Sequence, residues 1–509
     1  MKKIFIALVG LILWTGCNED VLNLNNPAAF DEASYYKTQK ECQEAVGACY
    51  SVFTMQPLYA RDWYFIFDLL TGQAVKTAQL EVDLVQFDEF TYQPENKYIG
   101  WAWQAFYRMS LRSLVAIEKI SAWETKTEAE AAYKEQMLGE AYFFYGYAYY
   151  FLTELWGDVP LHESWASIKE EPIKARMPYA EVQTKIEAAY QSAISRLPEA
   201  WDDNNLGRIT KDAAYAMLGK LYLTRGENDK AVQAFESVKA SEYHDDYYKL
   251  FVRGNHTSHE IILQVLHKFW GWGSGNAYYM WGGKENDGGK LATNCGRHME
   301  YGWNDWGNVS VTDEAAAKFR YTVDGAAYLD PRNQSVMYGD GTMGDADFFA
   351  GDFPYRPQDG TSQSGYKWKK YCNYEDVEHM NMDDGDYSSI LIRVADVKLL
   401  LAEAYIGLGN YDKAKALINE VRTRPAANAI PYNDVNANNA FEILKRERYI
   451  ELIGEQQYWF DLVRWDRLGK INMLDELQSN ATAKHKKFPI PTQEKDTNPL
   501  LVIQSEAWN

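Results

Sequence analysis

Cysteine is scarce in this chain: five in 509 residues, at positions 17, 42, 49, 295 and 372. None stands in a Cys-x-x-Cys pair or a Cys/His cluster at zinc-ligand spacing, so neither a zinc module nor a disulfide framework is expected. Cys42 and Cys49 lie seven residues apart in a helical pattern. Rise alone separates them by about 10 Å, too far for a bridge, and both are expected to be buried thiols. Positive charge is in deficit, with 52 Lys and Arg against 72 Asp and Glu and a net charge of −20. Such a field repels phosphodiester backbones, which excludes nucleic acid as a natural partner. Long apolar runs are missing too, since the stretch 4–14 is too short to cross a bilayer as a helix.

Enzyme signatures are also lacking. Gly339, Gly341 and Gly344 spell GxGxxG, but the Gly- and Asp-rich run that follows opens no helix to receive a pyrophosphate. His256, His259 and Glu260 do not form HExxH, and Ser274 is not in a nucleophile-elbow frame. The acidic residues Glu375, Asp376, Glu378, Asp383, Asp384 and Asp386 miss the EF-hand spacing and read as a solvated loop. No catalytic residue, metal or cofactor is expected.

What is abundant is aromatic. Phe, Trp and Tyr make up 15% of the chain, with 17 Trp and 37 Tyr, more than core packing usually needs. Hydrophobic residues at 46% and charged residues at 24% otherwise describe a chain that folds around a sizeable core.

The first residues run Met1-Lys2-Lys3, the apolar stretch, then Thr15 and Gly16 before Cys17, the order of a signal peptide. A cysteine after a small residue resembles a bacterial lipobox, so 1–16 reads as a signal peptide and Cys17 as the acylated residue. The stretch 17–38 is then a lipidated tether. Asn18-Glu19-Asp20 resembles the surface-export signal of Bacteroidetes lipoproteins.

Two stretches repeat one pattern. From Lys211 to Tyr243, the residues Tyr215, Leu218, Gly219, Tyr222, Ala231, Phe235 and Val238 take tetratricopeptide positions around a turn at Gly226. Between Ala395 and Ala426, Leu401, Ala402, Tyr405, Ala414, Ile418 and Val421 repeat them around Gly409. Apolar spacing predicts further helices over 39–53, 99–120, 128–156, 179–197 and 440–466. Between about 270 and 385 the chain turns rich in Gly, Asp, Asn, Tyr and Trp and loses helical periodicity.

Several separated segments, all in order, resemble the SusD-like (RagB/SusD) family. They include Leu22 to Pro27, the helix from Trp101, and Glu140-Ala141-Tyr142 through Trp156-Gly157-Asp158-Val159-Pro160-Leu161. Toward the C-terminus they include Arg393 to Ala404, Ile418 to Arg424, Glu447-Arg448 through Trp459-Phe460-Asp461-Leu462-Val463-Arg464-Trp465, and Phe488 to Pro491. The resemblance implies a mainly α, tetratricopeptide-type scaffold with a large loop-rich insertion. It also implies capture of an oligosaccharide at the outer-membrane surface and delivery to a SusC-like TonB-dependent transporter, without catalysis. The division expected is a helical part over 39–269, a ligand-binding insertion over 270–390 and a C-terminal helical part over 391–509, all in one body. A tetratricopeptide adaptor of the transporter, or a binder of peptide or another nutrient, is the alternative.

Within the insertion, Trp270, Trp272, Tyr278, Tyr279, Trp281, Trp303 and Trp306 crowd into fewer than forty loop residues. Indole and phenol faces stack on the C–H faces of pyranoses, and Asn276, Arg297, Asn304 and Asp305 can bond hydroxyls. By analogy with family members, Trp63, Tyr64, Asp68 and Lys76 join as candidates from the loop before the Trp101 helix. Glu447, Glu451 and Glu455 fall at i, i+4 and i+8 on one helical face beside arginines, a salt-bridged structural network rather than an acid/base pair.

Overall fold

The computed structural model describes residues 35–252, 254–267, 284–285, 291–292, 295–302, 306–339, 346–347, 365–372, 388–501 and 508. Cys17, the N-terminal leader and the tether up to residue 34 lie outside them.

The fold is mainly α. Helices Gln39–Phe53, Lys97–Ala122, Glu128–Trp156 and Tyr179–Ile194 form a bundle in the N-terminal half. Local chemistry sets their ends. The Thr38 side chain accepts from the Glu41 amide and the Glu41 carboxylate returns the contact, a reciprocal cap, and Thr127 caps the 128–156 helix. That helix ends at Gly157, whose φ of +79° suits glycine and turns the chain toward Pro160. The predicted buried thiols are observed: Cys42 and Cys49 are free and sealed in this bundle.

Both repeat units are helix pairs: Lys211–Thr224 with Asn228–Glu236, and Val394–Gly407 with Tyr411–Thr423. Gly219 lets the first pair close, because a Cβ there would stand 2.5 Å from the Phe235 ring. The Asn228–Glu236 helix packs on Val394–Gly407, so the two units, far apart in sequence, are neighbours in space.

One expected helix is broken. The periodic stretch 440–466 divides into Ala440–Leu452 and Tyr458–Arg467, with Gly454 at φ +73° and Gln456 at φ +58° between them. Apolar spacing survives the break because both pieces bury the same kind of face, while Gly454 supplies the turn.

The insertion leaves and re-enters the scaffold on one ribbon. Strand Ile261–Val265 pairs antiparallel with Ser389–Arg393, setting Val265 against Ser389 and Ile261 against Arg393. A second ribbon, Ala74–Lys76 with Val309–Val311, ties the insertion to the N-terminal half. Most of the described aromatic residues serve the core. Trp63 packs edge-on against Phe67, Phe106 and Phe151 at 4.5 to 5.5 Å and stacks on Phe460. Among the described tryptophans only Trp101 and Trp306 are exposed, at 37% and 41%.

Under the C-terminal helices lies a continuous ion-pair network. Glu447 and Glu451 share one face of the Ala440–Leu452 helix, as their i, i+4 spacing predicts, whereas Glu455 lies past its end, in the turn; each of the three is met by cations. Glu451 is bonded by Arg332, Arg393 and Arg424; Glu455 by Arg393 and Lys370; and Glu447 by Arg332 and Arg422. Arg332 and Lys370 belong to the insertion, so these pairs also clamp it to the scaffold.

Candidate functional site

The candidate ligand residues divide three ways. Trp270, Trp272, Tyr278, Tyr279, Trp281, Trp303 and Asn304, with Asn276 and Asp305, lie outside the described residues. Trp306 is described and exposed. Arg297 and Asp68 are described and buried, at 5% and 0% exposure, where they bond each other.

That last observation corrects the expectation that Arg297 and Asp68 face a ligand. The Asp62–Leu70 helix turns Asp68 inward, and the short Arg297–Tyr301 helix brings Arg297 to it. Arg297 Nη2 donates to Asp68 Oδ2 at 3.0 Å and to the Gly454 carbonyl at 2.8 Å. Tyr301 donates its hydroxyl to the same carboxylate oxygen at 2.8 Å, and Gln456 Nε2 donates to Asp68 Oδ1 at 3.0 Å. The guanidinium also lies over Tyr371 and Tyr301, 4.3 and 4.7 Å from their centroids. Burial holds the Asp68 carboxyl above its ordinary pKa against the pull of Arg297 and the two donors. An interior charge kept in this way depends on its partners, and its burial keeps it from solvent. Trp63 and Tyr64 are buried as well, and Lys76 is ion-paired with Glu89.

The cluster instead fixes the root of the segment that carries Trp306. A few residues on, Glu300 accepts from Arg61 and from Asn308 Nδ2. The Trp306 amide donates to Met299 O at 3.2 Å and the Asn308 amide to Glu300 O at 2.7 Å, which ties 306–308 to the Arg297–Tyr301 helix. Gly307 turns the chain with φ +54°, and Thr77 Oγ1 donates to its carbonyl at 2.8 Å. Trp306 therefore projects from a turn whose base is pinned by two buried ion pairs and a strand pairing. This is the rigid mounting that presents a ring to solvent at low conformational cost.

The contacts continue to the second exposed indole. Arg61 also bonds Glu81 at 3.0 Å, Glu81 accepts from the Tyr98 hydroxyl, and the Tyr98 ring lies 5.4 Å edge-on to Trp101. Lys97, paired with Asp83 at 3.2 Å, stands 5.6 Å over the Trp101 ring, and Val82 beside it is 77% exposed. Trp101 was not among the sequence candidates. Its signal was nonetheless present, since Tyr98, Ile99, Ala102 and Ala105 mark the buried face of the helix and Trp101 falls off it.

Carboxylates that invite an enzymatic reading are neutralised. Burial alone would raise Glu451, but Arg424, Arg393 and Arg332 outweigh it and hold the carboxyl far below its ordinary value. Glu455 is held down likewise by Arg393 and Lys370.

Comparison with known proteins defines the class. Residues 271–508 match the model of the SusD family, and residues 38–223 match a second model described as starch-binding and associating with the outer membrane. Among curated proteins, the chain is 23% identical to SusD-like protein P38 of Formosa agariphila, over 93% of each chain. It is 24% identical to a SusD-like protein of Bacteroides ovatus, over 93% of this chain and 84% of that one. Among solved structures, a SusD-like carbohydrate-binding protein from Bacteroides fragilis superposes with a TM-score of 0.76 at 18% identity, covering 92% of this chain and 99% of that one. A laminarin-binding SusD-like protein superposes at 0.73 with 23% identity, covering 92% and 100%. The chain belongs to the SusD-like family, and it has that family's mainly α fold.

Proposed function

We propose that the protein is a non-catalytic glycan-capture lipoprotein of the outer-membrane surface, anchored through Cys17, that hands an oligosaccharide to a SusC-like TonB-dependent transporter. The observation that carries this reading is Trp306, an exposed indole on a turn braced from below by the Asp68–Arg297 and Arg61–Glu300 pairs. The proteins it resembles add support: one solved relative is named as laminarin-binding and another, from Bacteroides uniformis, as a surface glycan-binding protein. The neutralised carboxylates of the C-terminal helices favour capture over hydrolysis. Among the described residues no helix is long and apolar enough to cross a membrane, and a lipid on Cys17 would supply the attachment. The ligand face we assign is Trp270, Trp272, Tyr278, Tyr279, Trp281 and Trp303 with Trp306, and Asn304 offering an amide to hydroxyls.

Stacking on a preformed surface gives affinity of the micromolar class, about −8 kcal/mol, which permits release to a transporter. The test is calorimetric titration of the whole chain with a panel of glycans that includes laminarin oligosaccharides. Trp272→Ala, Trp281→Ala, Trp303→Ala and Trp306→Ala are titrated beside the parent. At least one of these is expected to weaken binding about tenfold or more, the cost of losing a stacked anchor. Equal affinity in all four would place the site elsewhere, and no binding to any glycan would reject capture of sugar.

A further inference from the structure

A recess elsewhere on the molecule shares no lining residue with the Trp306 turn. It opens where the Asp313–Ala317 helix and the Arg320–Val323 strand of the insertion meet the Ala440–Leu452 and Tyr458–Arg467 helices. Its volume is about 480 Å³, within the range of small-molecule sites. Tyr449 and Tyr458 form its floor. Both are buried, and their rings meet edge to face with centroids 4.8 Å apart. Arg446 rests 4.8 Å from the Tyr321 centroid on one wall, and Lys318 stands 5.4 Å from the Tyr449 centroid at the rim.

The charges in the recess are unevenly matched. Of its three carboxylates, Glu442 and Glu476 are both held by Lys445, at 3.0 and 2.7 Å, and Glu476 also accepts from the Tyr458 hydroxyl at 3.3 Å. Glu314, one turn before Lys318, makes no ion pair with it. Among the described residues neither Lys318 nor Arg446 forms a close ion pair with a carboxylate, and Lys318 acts on Glu476 only at longer range. In a chain of net charge −20, two cations set against the tyrosines of one recess and in close ion pairs with no described carboxylate form a place for an anion borne on an apolar-faced ring.

We propose that this recess binds a carboxylated pyranose, a uronic-acid unit, with its C–H face on the Tyr449–Tyr458 floor and its carboxylate between Arg446 and Lys318. The choice of a sugar rests on the capture function proposed above; the requirement for a negative charge rests on the recess alone.

The experiment is calorimetry of the full chain with digalacturonic acid and with its dimethyl ester, which keeps the skeleton and removes the charge. The acid is expected to bind at least about tenfold more tightly than the ester, as the loss of a charge-assisted hydrogen bond implies, and to weaken as salt is added. Arg446→Gln and Lys318→Gln are each expected to weaken the acid and leave the ester unchanged. Lys318 is exposed, so its variant keeps the test valid if the Arg446 variant is unstable. Trp306→Ala should not change the acid's affinity. Equal binding of acid and ester, unchanged binding of acid to both charge variants, no acid binding at millimolar concentration, or a loss caused by Trp306→Ala would each overturn the proposal. Laminarin oligosaccharides, titrated in parallel, separate the two readings: neutral glycan bound without the acid rejects only the recess, and the acid bound at the recess without neutral glycan rejects only the Trp306 site.

Discussion

Arg393 holds three carboxylates that come from distant parts of the chain. Its Nη1 donates to Glu260 at 2.8 Å and to Glu451 at 2.6 Å, its Nη2 to Glu455 at 2.7 Å and to the Glu451 carbonyl at 2.8 Å. Exchanging the whole cluster for apolar residues of similar volume need not destabilise a protein, but removing one partner leaves the others charged and dry. Arg393→Ala is therefore expected to cost about 3–5 kcal/mol, seen as a fall in melting temperature. Arg393→Lys should recover part of it, since an ammonium restores the charge without the planar fork that meets all three glutamates. If Arg393→Ala melts with the parent, the network does not hold the fold. The same logic explains why Arg297 and Asp68 read as ligand groups in sequence: a charged residue among aromatics looks alike whether it waits for a sugar or for another side chain.

At the scale of elements, the paired helices of the first repeat depend on one missing methyl group. A Cβ at position 219 would press on the Phe235 ring from 2.5 Å, and that ring is itself buried. Gly219→Ala is expected to force the Asn228–Glu236 helix outward at a cost of about 1–3 kcal/mol. Hydrogen exchange should then show lost protection in both helices of the pair before the 128–156 helix is affected; uniform loss, or none, would contradict this local view. The broken helix teaches the complementary point. Leu452 and Tyr458 lie on either side of a turn at which Gly454 N–H donates to Gln73 at 2.9 Å and Gly454 C=O accepts from Arg297. The partners that make this turn worthwhile come from 73 and 297, which no local periodicity contains.

For the whole molecule, the buried ion pairs set a pH dependence. Burial alone would raise the Glu403 carboxyl, but the Arg464 guanidinium, with Lys470, outweighs it and holds the group down to about 2. Unfolding returns it to an ordinary value near 4.5, so between these values the unfolded chain binds more protons. The contribution is complete above about pH 4.5 and disappears as pH falls toward 2, a loss on the order of 3 kcal/mol for this group. Glu451, Glu455 and Asp396, also held low, act with the same sign, whereas Asp68, Glu140 and Glu300, raised by burial, oppose them. Melting temperatures measured from pH 7 to pH 3 should fall more steeply in the parent than in Glu403→Gln; parallel curves would show that Glu403 adds nothing to the acid limb.

The helical architecture was legible in the amino-acid order. The 39–53 and 128–156 helices, the two repeat pairs and the acidic pair at 447 and 451 all follow from periodicity, caps and i, i+4 spacing, which act over a few residues. Which aromatic and charged side chains reach water was settled only by tertiary structure. Trp63, Trp103 and Trp459 became core while Trp101 and Trp306 stayed outside, and Asp68 met Arg297 across 229 residues of chain. Periodicity reports the face a residue takes on its own element; whether that face is then covered depends on partners brought from elsewhere, and a loop without periodicity carries no such local record.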